Sequence, residues 1–173
     1  FVISLLLTPV GIKFAKRFNL IDDPKTHKHP AIIHSRPIPR AGGLSIFLAI
    51  MLGSFIFFPM NRIFISILVS GLIVVVVGLL DDKYDLSPYL RFLMNIVCAS
   101  IVVFSGITIP FITNPLGGIL HFNEINLSLI GLNLSIPIAG IFAVIWIVWV
   151  MNMLNWSKGV DGQMPGIAAI SAI

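Results

Sequence analysis

The chain has 173 residues, of which 57% are hydrophobic and 10% charged, with a net charge of +4. A soluble domain carries about 25% charged residues, so an ordinary soluble globule is excluded. The charges are confined to a few places and leave charge-free stretches at 41–61, 63–80, 92–123 and 125–157, each at or above the roughly 18 residues that cross a bilayer as a helix. This is the pattern of an all-α polytopic membrane protein, a bundle of transmembrane helices. The single cysteine, Cys98, lies in an apolar run and offers neither a disulfide framework nor a Cys-based metal site.

Helices are the expected spanning elements, because peptide groups in hydrocarbon must be bonded within their own segment. In chain order they are expected at about 1–15, 41–60, 63–80, 90–112 and 138–156, with a sixth starting near 164. The first and last runs are abrupt, so the chain reads as one membrane domain of a protein extending beyond both ends. Between the fourth and fifth spans, 113–137 is rich in Asn, Gly, Pro and Ser. Leu127, Leu129, Leu132 and Leu134 alternate around Gly131 there, which suggests a short periplasmic β-hairpin.

Strict alternation puts three cytoplasmic loops on one side, at about 16–40, 81–89 and 157–163. Counted with their flanking helix ends, they collect Lys13, Lys16, Arg17, Lys25, Lys28, Arg36, Arg40, Lys83, Arg91 and Lys158, every Lys and Arg except Arg62. An excess of Lys and Arg marks the cytoplasmic side. All the aspartates fall there too, whereas Glu124 and His121 lie opposite.

Three pieces of this surface could carry chemistry. Asp81 and Asp82 follow the apolar run Ile63–Leu80 and so sit at a helix C-terminus, where the helix dipole and their mutual repulsion both disfavour carboxylates. A cation would relieve this: Lys83, an Arg or Lys from a neighbouring loop, or a divalent metal such as Mg²⁺, which takes one or two carboxylates together with substrate phosphates. A plain Asp-rich turn is the alternative, because Asp85-Leu-Ser87-Pro88 supplies an N-cap and a first-turn proline for the next helix.

The second piece is Asn152-Met-Leu-Asn155-Trp-Ser-Lys158-Gly-Val-Asp161-Gly162. Its two amides are three residues apart and share a helix face; helix gluing is their ordinary role, but Lys158 and Asp161 follow at once between glycines. The third is His34-Ser-Arg36-Pro-Ile-Pro39-Arg40-Ala-Gly42-Gly43. Gly42 and Gly43 open a helix whose free N–H groups suit a phosphate, and Arg36 and Arg40 could add bidentate bonds to its oxygens. His27, His29 and His34 read as neutral loop histidines, with no acidic partner at ligand spacing.

These pieces, in this order, resemble the polyprenyl-phosphate N-acetylhexosamine-1-phosphate transferases, relatives of the phospho-MurNAc-pentapeptide transferase. The marks are Asp22-Asp-Pro24 and His34-x-x-Pro-x-Pro-Arg40-x-Gly-Gly43, then Gly78-Leu-Leu-Asp81-Asp82-Lys-Tyr-Asp85-Leu-Ser-Pro88, then Asn152-x-x-Asn155-x-x-x-Gly159-x-Asp161-Gly162. The resemblance implies a multi-pass enzyme of the bacterial inner membrane with its active site facing the cytoplasm. It would move a sugar-1-phosphate from a UDP-sugar to undecaprenyl phosphate with Mg²⁺, or alternatively Mn²⁺, releasing UMP at the start of cell-envelope glycan synthesis such as that of teichoic acid or lipopolysaccharide.

By the same resemblance, Asp81, Asp82 and Asp161 are catalytic, Asp81, Asp82 and Asn155 hold the metal, and His34, Arg40, Gly42, Gly43, Asn152, Asn155 and Lys158 bind substrate. The lipid bilayer is a partner, nucleic acid is not, and a homodimer is left open. Lys158 stands where the family usually has an aspartate, so no carboxylate is carried over there; a lysine could instead meet a nucleotide phosphate. The alternatives are the peptidoglycan branch, a non-catalytic relative or, from another class, a membrane transporter.

Overall fold

The computed structural model describes residues 2–22, 37–122, 126–128, 135–156 and 163–171, with backbone alone at 126–128 and 135–137. Among them the chain forms six helices and three two-stranded antiparallel sheets. It divides into two compact units, Phe1–Met94 and Asn95–Ile173.

The first unit is built on three consecutive helices, α1 (Val2–Arg17), α2 (Gly42–Phe57) and α3 (Arg62–Tyr84). Lys16 and Arg17 occupy the last turn of α1, where cations complement the helix dipole. Asn19, at φ 56°, then turns the chain, and the Leu20 amide closes onto the Ala15 carbonyl at 2.9 Å.

Sequence pattern makes the connection from α1 to α2 a loop throughout, yet β1 (Ile21–Asp22) pairs with β2 (Ile38–Pro39), Asp22 opposite Ile38. The Arg40 amide extends this ribbon to the Leu20 carbonyl at 2.8 Å. Strands of two residues carry no readable alternation, and Pro39 argues against a strand unless it lies on an edge, as both strands of a ribbon do.

Small residues let the helices approach closely. Gly11 and Ala15 of α1 are buried against α2, where Ser45 is also buried and donates to the Leu7 carbonyl. Phe47 of α2 lies against Gly71 of α3, leaving no room for a side chain at 71. Ala15, Leu20 and Ala41 form a small core with Phe14 and Leu79 packed on it. The ends of α1 and α3 therefore lie beside the start of α2.

Asn61 caps α3 by accepting from the Phe64 amide at 2.8 Å. The helix continues through the aspartate pair to Tyr84, and Asp85 ends it in the left-handed region at φ 50°. Helix α4 (Pro88–Phe104) starts at once, with Ser87 Oγ accepting from the Leu90 amide at 3.3 Å. Ser87 thus caps α4, while Asp85 ends the preceding helix.

The fourth span was expected to run to 112, but α4 ends at Phe104. Gly106 adopts φ 117° and leads into an irregular stretch before β3 (Phe111–Thr113). Ile107, Thr108 and Ile109 are β-branched and precede Pro110, so apolar content there does not mean helix.

The expected single hairpin is in fact two. Strand β3 pairs with β4 (Ile119–His121) around a turn in which Gly117 and Gly118 take positive φ. Strand β5 (Asn126–Ser128) pairs with β6 (Ser135–Pro137), Leu127 opposite Ile136. Leu129, Leu132 and Leu134 lie outside the described residues. Helices α5 (Ile138–Trp156) and α6 (Gln163–Ser171) complete the second unit.

Helices α3 and α5 are long and apolar enough to cross a membrane, and α2 and α4 are shorter apolar helices. Ile65, Val69, Leu72 and Val76 of α3 stand exposed, a surface that matches hydrocarbon rather than water.

Candidate active site

The aspartate pair lies within the last turn of α3, not in a loop after it. Asp81 is held from two sides: Oδ2 lies 3.0 Å from an Arg91 guanidinium nitrogen, and Oδ1 accepts from the Leu86 amide at 3.1 Å. A carboxylate at the end of α3 and a guanidinium in the first turn of α4 each oppose their own helix dipole, and their pairing offsets both. Asp81 thus pins the α3–α4 corner.

Asp82 faces a different neighbour. Its Oδ1 is 4.0 Å from Arg40 Nη1, while Arg40 Nη2 is 2.5 Å from Asp22 Oδ2. The Asp22 side chain is only 13% exposed against 33% for Asp82, and Asp22 Oδ1 is buried without a hydrogen-bond partner among the described residues. The ribbon sets this chain of charges, because Asp22 is in β1 and Arg40 follows β2.

The charges relieving the pair are therefore arginines from neighbouring segments. Lys83 instead has its ammonium 5.4 Å from the Tyr84 ring centroid, a cation–π contact.

Gly42 and Gly43 form the first turn of α2, with open space where a side chain would project. Ala41 provides no side-chain cap, so the N-cap residue itself supplies no side-chain acceptor to the N–H groups of that turn. His34 and Arg36 lie outside the described residues.

In the second unit, Asn152 turns its amide back to the Val148 carbonyl at 2.8 Å, and Asn155 is exposed near the end of α5. Lys158 and Asp161 lie outside the described residues.

Two members of the charged cluster do not stand out as site residues in the sequence. Asp22 is visible there only as part of Asp22-Asp-Pro24, with nothing to rank it above its neighbour. Arg91 counts as one more basic residue, because its partner is ten positions away across a helical corner.

Among the described residues no three His, Cys, Asp or Glu side chains form a metal-ligating group, so they do not build an all-protein cage for a divalent ion. Hard carboxylate oxygens, one orphaned on Asp22 and others on partly exposed Asp82, do fit Mg²⁺, which completes its shell with water and substrate phosphates.

The chain is 30% identical over 176 residues to a Bacillus subtilis (strain 168) protein named "Probable undecaprenyl-phosphate N-acetylglucosaminyl 1-phosphate transferase", covering 98% of this chain and 44% of that protein. It is 30% identical to the undecaprenyl-phosphate alpha-N-acetylglucosaminyl 1-phosphate transferase of Thermotoga maritima, over 99% of this chain and 48% of the relative. The decaprenyl-phosphate N-acetylglucosaminephosphotransferase of Mycobacterium tuberculosis (strain ATCC 25618 / H37Rv) is 28% identical over 82% of the chain and 35% of its own length.

The chain thus spans less than half the length of these relatives. No solved structure matches it. The Glycosyl transferase family 4 model matches residues 64–173, a stretch that includes the aspartate pair and both α5 amides; the chain belongs to glycosyl transferase family 4.

Proposed function

We propose that this chain forms part of a membrane-embedded enzyme that transfers N-acetylhexosamine-1-phosphate from a UDP-sugar to a polyprenyl phosphate and releases UMP. The observation that carries the proposal is the approach of Arg40 to Asp82 immediately before the uncapped start of α2. A helix N-terminus, a guanidinium and a carboxylate near one another support a reaction between two phosphate-bearing substrates. The names of the relatives supply the donor sugar and the lipid class.

In this reading the chain crosses the bacterial inner membrane six times, with both hairpins on the periplasmic side and the charged cluster facing the cytoplasm. The distribution of Lys and Arg supports that orientation. Bound near Asp82, Mg²⁺ would neutralise the pyrophosphate charge that otherwise repels a second phosphate.

The lipid phosphate, largely ionised near neutral pH because a phosphomonoester's second pKa is roughly 6, attacks the β-phosphorus through an oxygen. The bond from that phosphorus to the bridging oxygen breaks, and UMP leaves. Asp82 takes the last proton or holds the metal, and Asp81 keeps the α3 end in register through Arg91. Arg40 and the first turn of α2 bind phosphate oxygens. By the family resemblance, Asn152, Asn155 and Lys158 would bind substrate, Asp161 would act in catalysis and His34 would bind substrate. Lys158 replaces the usual carboxylate with a compact cation suited to a phosphate.

The test is UMP release by the complete gene product in membranes, supplied with UDP-N-acetylglucosamine and undecaprenyl phosphate. Asp82→Asn should lower turnover by about 100-fold or more, the scale expected for loss of an acid–base or charge-stabilising group. Unchanged UMP release would overturn the assignment of Asp82.

A further inference from the structure

We infer that the groove between the ends of α1 and α3 seats an acyl chain of an anionic membrane phospholipid, whose phosphate is met by Lys83 with Lys13 and Arg17 beside it. The inference takes from the function proposed above only the membrane placement of the chain, with these helix ends at the cytoplasmic surface.

A cavity of about 220 Å³ opens between the two helices. Phe14 and Phe18 of α1 line one wall, one turn apart with ring centroids 4.5 Å from each other. Val76, Leu80 and Lys83 line the other, at the spacing that puts residues on one helix face. Leu20 and Leu79, which belong to the small core, complete the lining. Apart from Lys83 the lining is apolar, and no acid belongs to it among the described residues.

The aspartates beside Lys83 face other segments: Asp81 bonds to Arg91 of α4, and Asp82 approaches Arg40. Lysine suits the edge of an apolar groove, because its four-carbon stem lies along hydrocarbon while the ammonium stays at the polar boundary. That ammonium is 5.4 Å from the Tyr84 ring centroid; it carries three donors, so a ring face and a phosphate oxygen are compatible partners. On α1, Lys13 and Arg17 directly precede the two lining phenylalanines, and both are exposed. Four residues apart, they form a basic stripe adjoining the aromatic wall.

Shape and charge together select the occupant. A groove of aliphatic and aromatic side chains matches a hydrocarbon chain, and cations on both of its walls match an anionic headgroup. Basic recesses between transmembrane helices on the cytoplasmic side bind such headgroups. A neutral lipid would fill the groove without meeting the cations, and free phosphate would meet the cations without filling the groove.

The test is photolabelling of the complete purified protein in phosphatidylcholine nanodiscs that contain phosphatidylglycerol with a photoactivatable acyl chain, followed by peptide mapping. Labels should concentrate at Phe14, Phe18, Val76 and Leu80 over Ile65 and Val69, which are exposed further along α3. Unlabelled phosphatidylglycerol should displace the groove labels, and added phosphatidylcholine should not. Lys83→Gln should raise the half-saturating probe content about fivefold, the scale of one basic residue at an anionic membrane surface. Leu80→Trp should block groove labelling and leave labelling at Ile65 and Val69 unchanged, which separates a filled groove from a misfolded protein.

Labels spread evenly along the exposed helix surfaces, or displaced equally by both phospholipids, would overturn the inference. Groove labelling untouched by Lys83→Gln, or by Leu80→Trp, would do the same. Displacement by undecaprenyl phosphate but not by phosphatidylglycerol would also overturn it and give the groove to a polyprenyl lipid. The readout needs no turnover: groove labelling in a complete protein that releases no UMP would remove the transferase reading and leave this one standing, and UMP release without groove labelling would do the reverse.

Discussion

Replacing Gly11 by Ala should loosen the α1–α2 contact, and Ser45 should decide how much. A Cβ at position 11 would overlap Ser45 Oγ, whereas Ser45 Cβ and the Ala41 carbonyl oxygen lie at 3.6 and 3.7 Å, ordinary contact distances. Ser45 is only 4% exposed and donates to the Leu7 carbonyl at 3.3 Å, so its hydroxyl cannot turn aside freely. Overpacking costs about 1–3 kcal/mol, and an interhelical hydrogen bond in a membrane protein contributes about 0.6 kcal/mol. Alanine's better helix propensity returns up to about 1 kcal/mol. The expected net loss for Gly11→Ala is therefore about 1–2 kcal/mol.

Ser45→Ala should cost less than about 1 kcal/mol, and Gly11→Ala/Ser45→Ala should be no less stable than Ser45→Ala, because the overlapping atom is gone. The assay is reversible unfolding of the purified complete protein in mixed micelles with increasing SDS. A double variant as unstable as Gly11→Ala would refute the reasoning. UMP release should fall in parallel with Gly11→Ala, since Ala41 packs on Ala15 and the adjacent Arg40 amide bonds to Leu20.

Other consequences can be checked in the same preparations. Arg91→Gln leaves Asp81 at the end of α3 without its ion-pair partner; both side chains are partly exposed, so the stability loss should be about 0.5–1 kcal/mol. Turnover should drop more than stability if the corner sets the position of Asp82, and Arg91→Lys should recover part of it. Asn61→Ala removes the α3 cap and should cost about 1 kcal/mol. It should leave the KM for UDP-sugar unchanged, because the cap lies at the opposite end of a 23-residue helix, roughly 30 Å from the aspartates. A raised KM in Asn61→Ala would mean that the site responds to the whole of α3 and not only to its last turn.

The helices and most of their limits were legible from the order of residues alone. Ile138–Trp156 matches the expected fifth span, and α1, α2 and the start of α3 depart from expectation by few residues. The reason is physical: a long run without charge has few states open to it in hydrocarbon other than helix, and Asn61, Ser87 and Pro88 mark helix starts in local chemistry. The same rule failed at 105–112, where Gly106 and β-branched residues before Pro110 override apolar content. Asp81, Asp82, Arg40, Gly42 and Gly43 were legible as candidates because their residue types are out of place at helix ends or suited to anions there.

Which charge meets which emerges from the folded chain alone. Arg91 takes Asp81, Asp22 takes Arg40 ahead of Asp82, and Lys83 turns to Tyr84. Such pairings depend on distances of a few ångströms between segments far apart in the chain. A two-residue ribbon and the packing of small residues on three helices set those distances, and neither leaves a periodic trace in the sequence.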